Sequence, residues 1–76
     1  MAVLAPVVFS RAAGGAVYLL EWVQFPEGGW GAEIAFMAWN GLKWEGRRRR
    51  VTADDLTRIE GQDYTRVPRR REKFPR

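Results

Sequence analysis

The sequence contains no cysteine and no histidine, and its only serine is Ser10. Without cysteine there is no disulfide framework, zinc knuckle or thiol nucleophile, and nothing marks an oxidising compartment. Without histidine the commonest general base and the commonest metal ligand are missing. No metal site and no cofactor is expected. Long apolar runs are lacking as well. The longest, Met1–Phe9, is about half of what a bilayer-spanning helix needs, and it has no basic residues of the signal-peptide kind. The expectation is a soluble cytoplasmic chain with no membrane partner. Catalytic groups are equally sparse: scattered glutamates and the pair Asp54-Asp55, which reads as helix capping and surface ion pairing. Gly14-Gly15 and Gly28-Gly29 are not followed by the Lys/Thr and long helix of a phosphate loop. A non-enzymatic protein is expected.

What is present is unevenly distributed. Of 35 apolar residues in the 76-residue chain, 28 lie in residues 1–46. Charge runs the other way: residues 1–46 carry two basic and four acidic side chains, residues 47–76 eleven basic and five acidic, for a net +4. This division predicts one small domain over residues 1–61 and a basic, mostly extended C-terminal arm over residues 62–76.

Glycine and proline cut the apolar part into pieces of strand length. Ala16–Phe25 is rich in β-branched and aromatic residues, with Tyr18, Leu20 and Trp22 on one face and Val17, Leu19, Val23 and Phe25 on the other. Trp30–Trp39 alternates, with Ala32, Ile34 and Phe36 opposite Glu33, Met37 and Trp39. Asn40-Gly41 then signals a hairpin with a type I′ turn, and a returning strand from Leu42. Leu42 and Trp44 have the opposite parity to Val51, which predicts a β-bulge at Gly46. Thr52–Ile59 reads as one short helical or 3-10 turn, capped by Thr52 or Asp54 and ended by Gly61. Met1–Phe9 reads as a further strand that Pro6 places at an edge.

The result is an all-β chain: a small, strongly bent barrel of about five short strands. Over residues 16–60 it resembles the SH3-like barrels, in particular the Tudor type. The residues carrying the resemblance are Gly29-Trp30-Gly31-Ala32-Glu33-Ile34, a hairpin, and Val51-Thr52-Ala53-Asp54-Asp55-Leu56. The resemblance implies an aromatic cage near the loops.

Arg47, Arg48, Arg49 and Arg50 stand in one strand-forming segment, so two must point to each side of it. Buried charge is costly, so at least two should form an exposed basic stripe. Such a stripe suits phosphate oxygens, and it suits equally an edge strand guarded against aggregation. The arm adds Arg66, Arg69, Arg70, Arg71, Lys73 and Arg76. Basic arms of this kind lie along nucleic acid or other anionic surfaces, or solubilise the chain. Arginine accounts for eleven of the thirteen basic residues, which fits phosphate recognition and also a GC-rich genome.

Trp22, Trp30, Trp39 and Trp44 cannot all be interior in so small a barrel. Trp39, Trp30 and Trp44 are candidates for an aromatic platform that stacks on an unpaired base, or for core or dimer contacts. The composite expectation is a protein that binds DNA or RNA through arginines. The alternative is a protein-interaction module whose aromatic groove takes a partner peptide or a second copy of the chain.

Overall fold

Apolar residues that alternate between turn-forming glycines favour antiparallel strands, and hairpins organise this chain. The computed structural model describes residues 5–72. Its strands are β1 (Val7–Ser10), β2 (Gly15–Gln24), β3 (Trp30–Trp39), β4 (Trp44–Thr52), β5 (Leu56–Arg58) and β6 (Arg69–Arg71), with a 3-10 turn at Ala53–Asp55 between β4 and β5. They form one sheet in the order β4-β3-β2-β1-β5, and β6 adds to β2. All pairings are antiparallel except the parallel one between β2 and β6. The protein is a small all-β fold. Among the described residues no helix is long and apolar enough to cross a membrane.

The main core cluster is built by residues of one parity from several strands, while Val23 is fully buried on the other side of β2. Val8 lies opposite Val17, and Leu19 opposite Ile34; all four are buried. Ala32, Val51 and Val67 complete the cluster, with Trp22, Phe36, Leu56 and Tyr64 packed against it. The alternation read in β3 is the one observed: Ala32 and Ile34 are buried while Met37 and Trp39 are exposed.

The irregularity lies in β2 and not at Gly46. Tyr18 pairs with Ala35 and Leu19 with Ile34, but Glu21 then pairs with Glu33 and Trp22 with Ala32, leaving Leu20 as an extra residue. Directly opposed residues share a face. Trp22 therefore turns to the core side that Val17 and Leu19 occupy, and Tyr18 is left on the other. The pairing of β3 with β4 runs without interruption from Gly31–Thr52 to Trp39–Trp44. No bulge is needed at Gly46, because Trp44 points out to solvent and Val51 into the core.

The hairpin turn also differs from the expectation. Only Gly41 has a positive φ, and the returning strand starts at Trp44. The Asn40 carboxamide oxygen accepts the N–H groups of Leu42 and Lys43, while the Asn40 N–H donates to the Lys43 carbonyl. The side chain thus substitutes for backbone pairing, as in an Asx-turn, and a type I′ geometry is not required. Leu42 is consequently at the tip and 88% exposed.

Two further expectations are corrected. β1 is an interior strand between β2 and β5, because Pro6 precedes it and the Pro6 carbonyl accepts the Leu19 N–H. Residues 1–4 lie outside the described residues. The helical turn covers only Ala53–Asp55; Leu56–Arg58 is extended because it pairs with β1. Thr52 is the residue before that turn but makes no capping hydrogen bond. Its side chain, followed by a backbone N–H, instead holds the Asp54 carboxyl below the ordinary carboxylate range.

The segment after Gly61, read from the sequence as a separate arm, is docked on the body. Val67 is buried in the core. The Tyr64 hydroxyl donates to the Val7 carbonyl at 2.6 Å and accepts the Ile59 N–H at 2.9 Å, tying β1 to the end of β5. The Trp22 N–H donates to the Pro68 carbonyl and the Glu72 N–H to the Gln24 carbonyl, which seats β6 along β2.

At Gly31 the packing admits no side chain. A Cβ there would stand 2.3 Å from the Phe25 ring and 2.5 Å from the Val51 carbonyl oxygen. Gly31→Ala should cost about 1–3 kcal/mol of stability, measured by urea denaturation. Val67→Ala should cost about 2 kcal/mol by the same measurement. Truncation after Gly61 should unfold the body, seen as loss of its cooperative thermal transition.

Candidate nucleic-acid interface

The register of β3 with β4 sorts the four arginines. Arg47 lies opposite Phe36 and Arg49 opposite Ile34, on the core-side parity; Arg48 lies opposite Ala35 and Arg50 opposite Glu33, on the outer face. All four are exposed. β4 is the edge of the sheet, so even the two of core-side parity can carry their guanidinium groups out to water on long apolar stems.

Arg50 is committed to an internal network. The β2 bulge sets Glu21 directly opposite Glu33, a like-charge pair that would destabilise the sheet if left alone. The Glu33 side chain is only 16% exposed, so it has little water to compensate it. Arg50 Nε donates to Glu33 Oε1 at 3.1 Å, and Arg50 Nη1 lies 2.7 Å from Glu72 Oε2. On the other side Arg70 Nη2 lies 3.0 Å from Glu21 Oε1. Across β4, β3, β2 and β6 two adjacent glutamates are thus flanked by an arginine on each side. The hydrogen bond to Glu33 raises the Arg50 pKa against a smaller opposing effect of desolvation, and Glu72 adds to the rise.

The remaining arginines are freer. Arg47 reaches Glu45 only at 3.4 Å, with both side chains well exposed. Arg71 donates to the Gln24 side chain. Among the described residues Arg48, Arg49, Arg66 and Arg69 form no ion pair. Lys73 lies outside the described residues. The described basic positions are thus unequal: Arg50 and Arg70 pair with partly buried glutamates, Arg47 pairs more loosely with Glu45, and Arg48, Arg49, Arg66, Arg69 and Arg71 are exposed without an ion pair among the described residues.

The three tryptophans do not make one platform. Trp39 and Trp44 pair across the end of the β3–β4 hairpin, with ring centroids 5.6 Å apart and planes at 64°. They are 56% and 62% exposed, and Met37 and Leu42 beside them are exposed too. Trp30 stands at the opposite end of β3, where it borders a surface hollow of about 260 Å³ with Trp22 and Arg69.

Sequence reading missed one polar centre. Ser10 is fully buried, and its hydroxyl donates to Asp55 Oδ2 at 2.5 Å; Asp55 Oδ1 accepts the Ala12 N–H at 2.9 Å. Asp55 is thereby a clasp between the β1–β2 turn and the 3-10 turn, where surface ion pairing was expected. The signal available was a lone serine beside a turn, which specifies no partner far along the chain. The only serine is thus engaged structurally and lies out of reach of solvent.

Compared with known proteins, the chain matches no protein-family model, no curated protein and no solved structure. Its function is read from its own geometry.

The charge network makes a testable demand. Arg50→Gln should lower the thermal midpoint, because it leaves Glu21 and Glu33 facing each other with one neutralising partner removed. The loss should shrink at high salt and in a Glu33→Gln background.

Proposed function

We propose that the protein is a non-enzymatic nucleic-acid-binding module on a small SH3-like barrel of the Tudor type, acting in the cytoplasm. The barrel reading is supported by five strands in series, with the fifth returning to pair with the first after a single 3-10 turn. The observation that carries the functional reading is that Arg48, Arg49, Arg66 and Arg69 form no ion pair among the described residues, on a chain of net charge +4. The Arg50–Glu72 ion pair joins β4 to the end of β6, so arginines distant in sequence belong to one continuous structure. Phosphate oxygens are the natural partners of exposed guanidinium forks.

The exposed cluster of Met37, Trp39, Leu42 and Trp44 favours a second reading, a contact surface for a partner peptide or another copy of the chain. Ionic strength distinguishes the two. With about four phosphates neutralised, log K against log[salt] should fall with a slope of about −4 on duplex DNA and about −3 on single strands. Fluorescence anisotropy with labelled oligonucleotides measures this. Arg48→Ala with Arg49→Ala should weaken binding uniformly across sequences and flatten the slope. Absence of oligonucleotide binding at low salt would overturn the reading and leave the aromatic surface as a protein contact.

A further inference from the structure

The tip of the β3–β4 hairpin carries more than charge. Opposed pairs Trp39–Trp44, Met37–Gly46 and Ala35–Arg48 share one face, and Tyr18 joins it through its own pairing with Ala35. Pairing between β2 and β3 stops at Ala35, so the face beyond it has no neighbouring strand. The two indoles meet edge to face and are more than half exposed, which leaves aromatic faces open to a planar ligand. Between Trp44 and Arg48 stands Gly46, where an added Cβ would approach only the Met37 sulfur, at 3.9 Å. A shallow hollow of about 210 Å³ occupies this stretch, bordered by Tyr18, Met37, Gly46, Arg47 and Arg48. The nearby acid is turned away: Glu45 has the opposite parity to Trp44 and accepts a hydrogen bond from Asn40 Nδ2 at 2.6 Å.

We propose that this face is a single-strand site, in which unpaired bases stack on Trp44 and Trp39 while Arg48 holds the adjoining phosphate. The inference rests on the nucleic-acid reading and narrows it to single strands. Trp44 and Arg48 are four residues apart along an extended strand, about 13 Å, so aromatic and cationic contacts alternate along one short path. Bases inside a duplex are already stacked and present only their edges, whereas a single strand presents π faces that every base has. Charge complementarity decides against a second copy as the occupant. Joining two tips would bring Arg48 and Arg49 of each copy together, whereas a polyanion is attracted to both pairs.

The test uses the full chain, an oligothymidine and a duplex of equal length. Single-strand binding should quench the intrinsic tryptophan fluorescence. Trp44→Ala should weaken single-strand affinity about tenfold and leave duplex affinity within about twofold, with Trp44→Phe restoring most of the loss. Both indoles are surface groups, so circular dichroism and the thermal transition should match the parent, and the Phe variant reads stacking even if the Ala variant is impaired. If both oligonucleotides bind but Trp44→Ala and Trp44→Phe change neither affinity nor quenching, the stacking site is refuted while phosphate binding stands. If neither oligonucleotide binds at low salt, the underlying nucleic-acid reading fails. If Trp44→Ala abolishes sedimentation as a dimer without affecting oligonucleotides, the tip is an interface between copies and the proposal falls.

Discussion

The extra residue in β2 is the constraint on which most of this structure depends. With regular pairing past Leu19, Leu20 would face Glu33 and Glu21 would face Ala32, placing a carboxylate on the core side of the sheet. One inserted residue reverses the parity. Trp22 turns inward against the core, and Glu21 turns outward to Glu33. At the same point the free edge of β2 changes partner. The Leu19 N–H donates to Pro6 ahead of β1, and the Trp22 N–H donates to Pro68 ahead of β6. The bulge thus lets one ten-residue strand serve β1, β3 and β6.

Moving Glu21 outward creates the electrostatic problem that Arg50 and Arg70 resolve. Two opposed glutamates, one of them largely buried, are held between guanidinium groups from the two flanking strands. This is why the basic C-terminal segment is part of the fold. Arg70 and Glu72 supply two members of the network, Val67 supplies core volume, and Tyr64 supplies two hydrogen bonds. A run of charge that reads as solvated in isolation is divided by the sheet into arginines with carboxylate partners and arginines without them. Among the described residues the second group lies on β4 and around β6.

The aromatic surplus is divided in the same way. Trp22 is taken up by the core, Trp30 sits at one end of β3, and Trp39 with Trp44 crowns the other end where the hairpin outruns β2. The hairpin is held to this projecting form by the Asn40 carboxamide, which supplies the turn with acceptors that a shorter loop would take from the backbone. Trp44 and Arg48 therefore lie on one face of β4, one at its start and the other in its middle, with Trp39 opposite Trp44 on β3.

Strand periods and turn residues act over a few neighbours, and they were legible in the sequence. Alternation from Trp30 to Trp39, the hairpin at Asn40-Gly41, the all-β class and the two-sided splitting of Arg47–Arg50 all depend on local geometry. The β2 bulge had no sequence signal; the parity mismatch in β4 points to Gly46, where no bulge is needed because Trp44 is simply exposed. The clasp of Ser10 with Asp55, the pairing of β6 with β2, and the choice of Arg50 and Arg70 as the neutralised arginines had no local signature. Each depends on residues separated by most of the chain, whose approach is set by register. Local pattern and composition determined that this would be a small β protein rich in exposed arginine and tryptophan. Only the tertiary structure decided which of those side chains have partners, since a partner is fixed by which strands lie side by side.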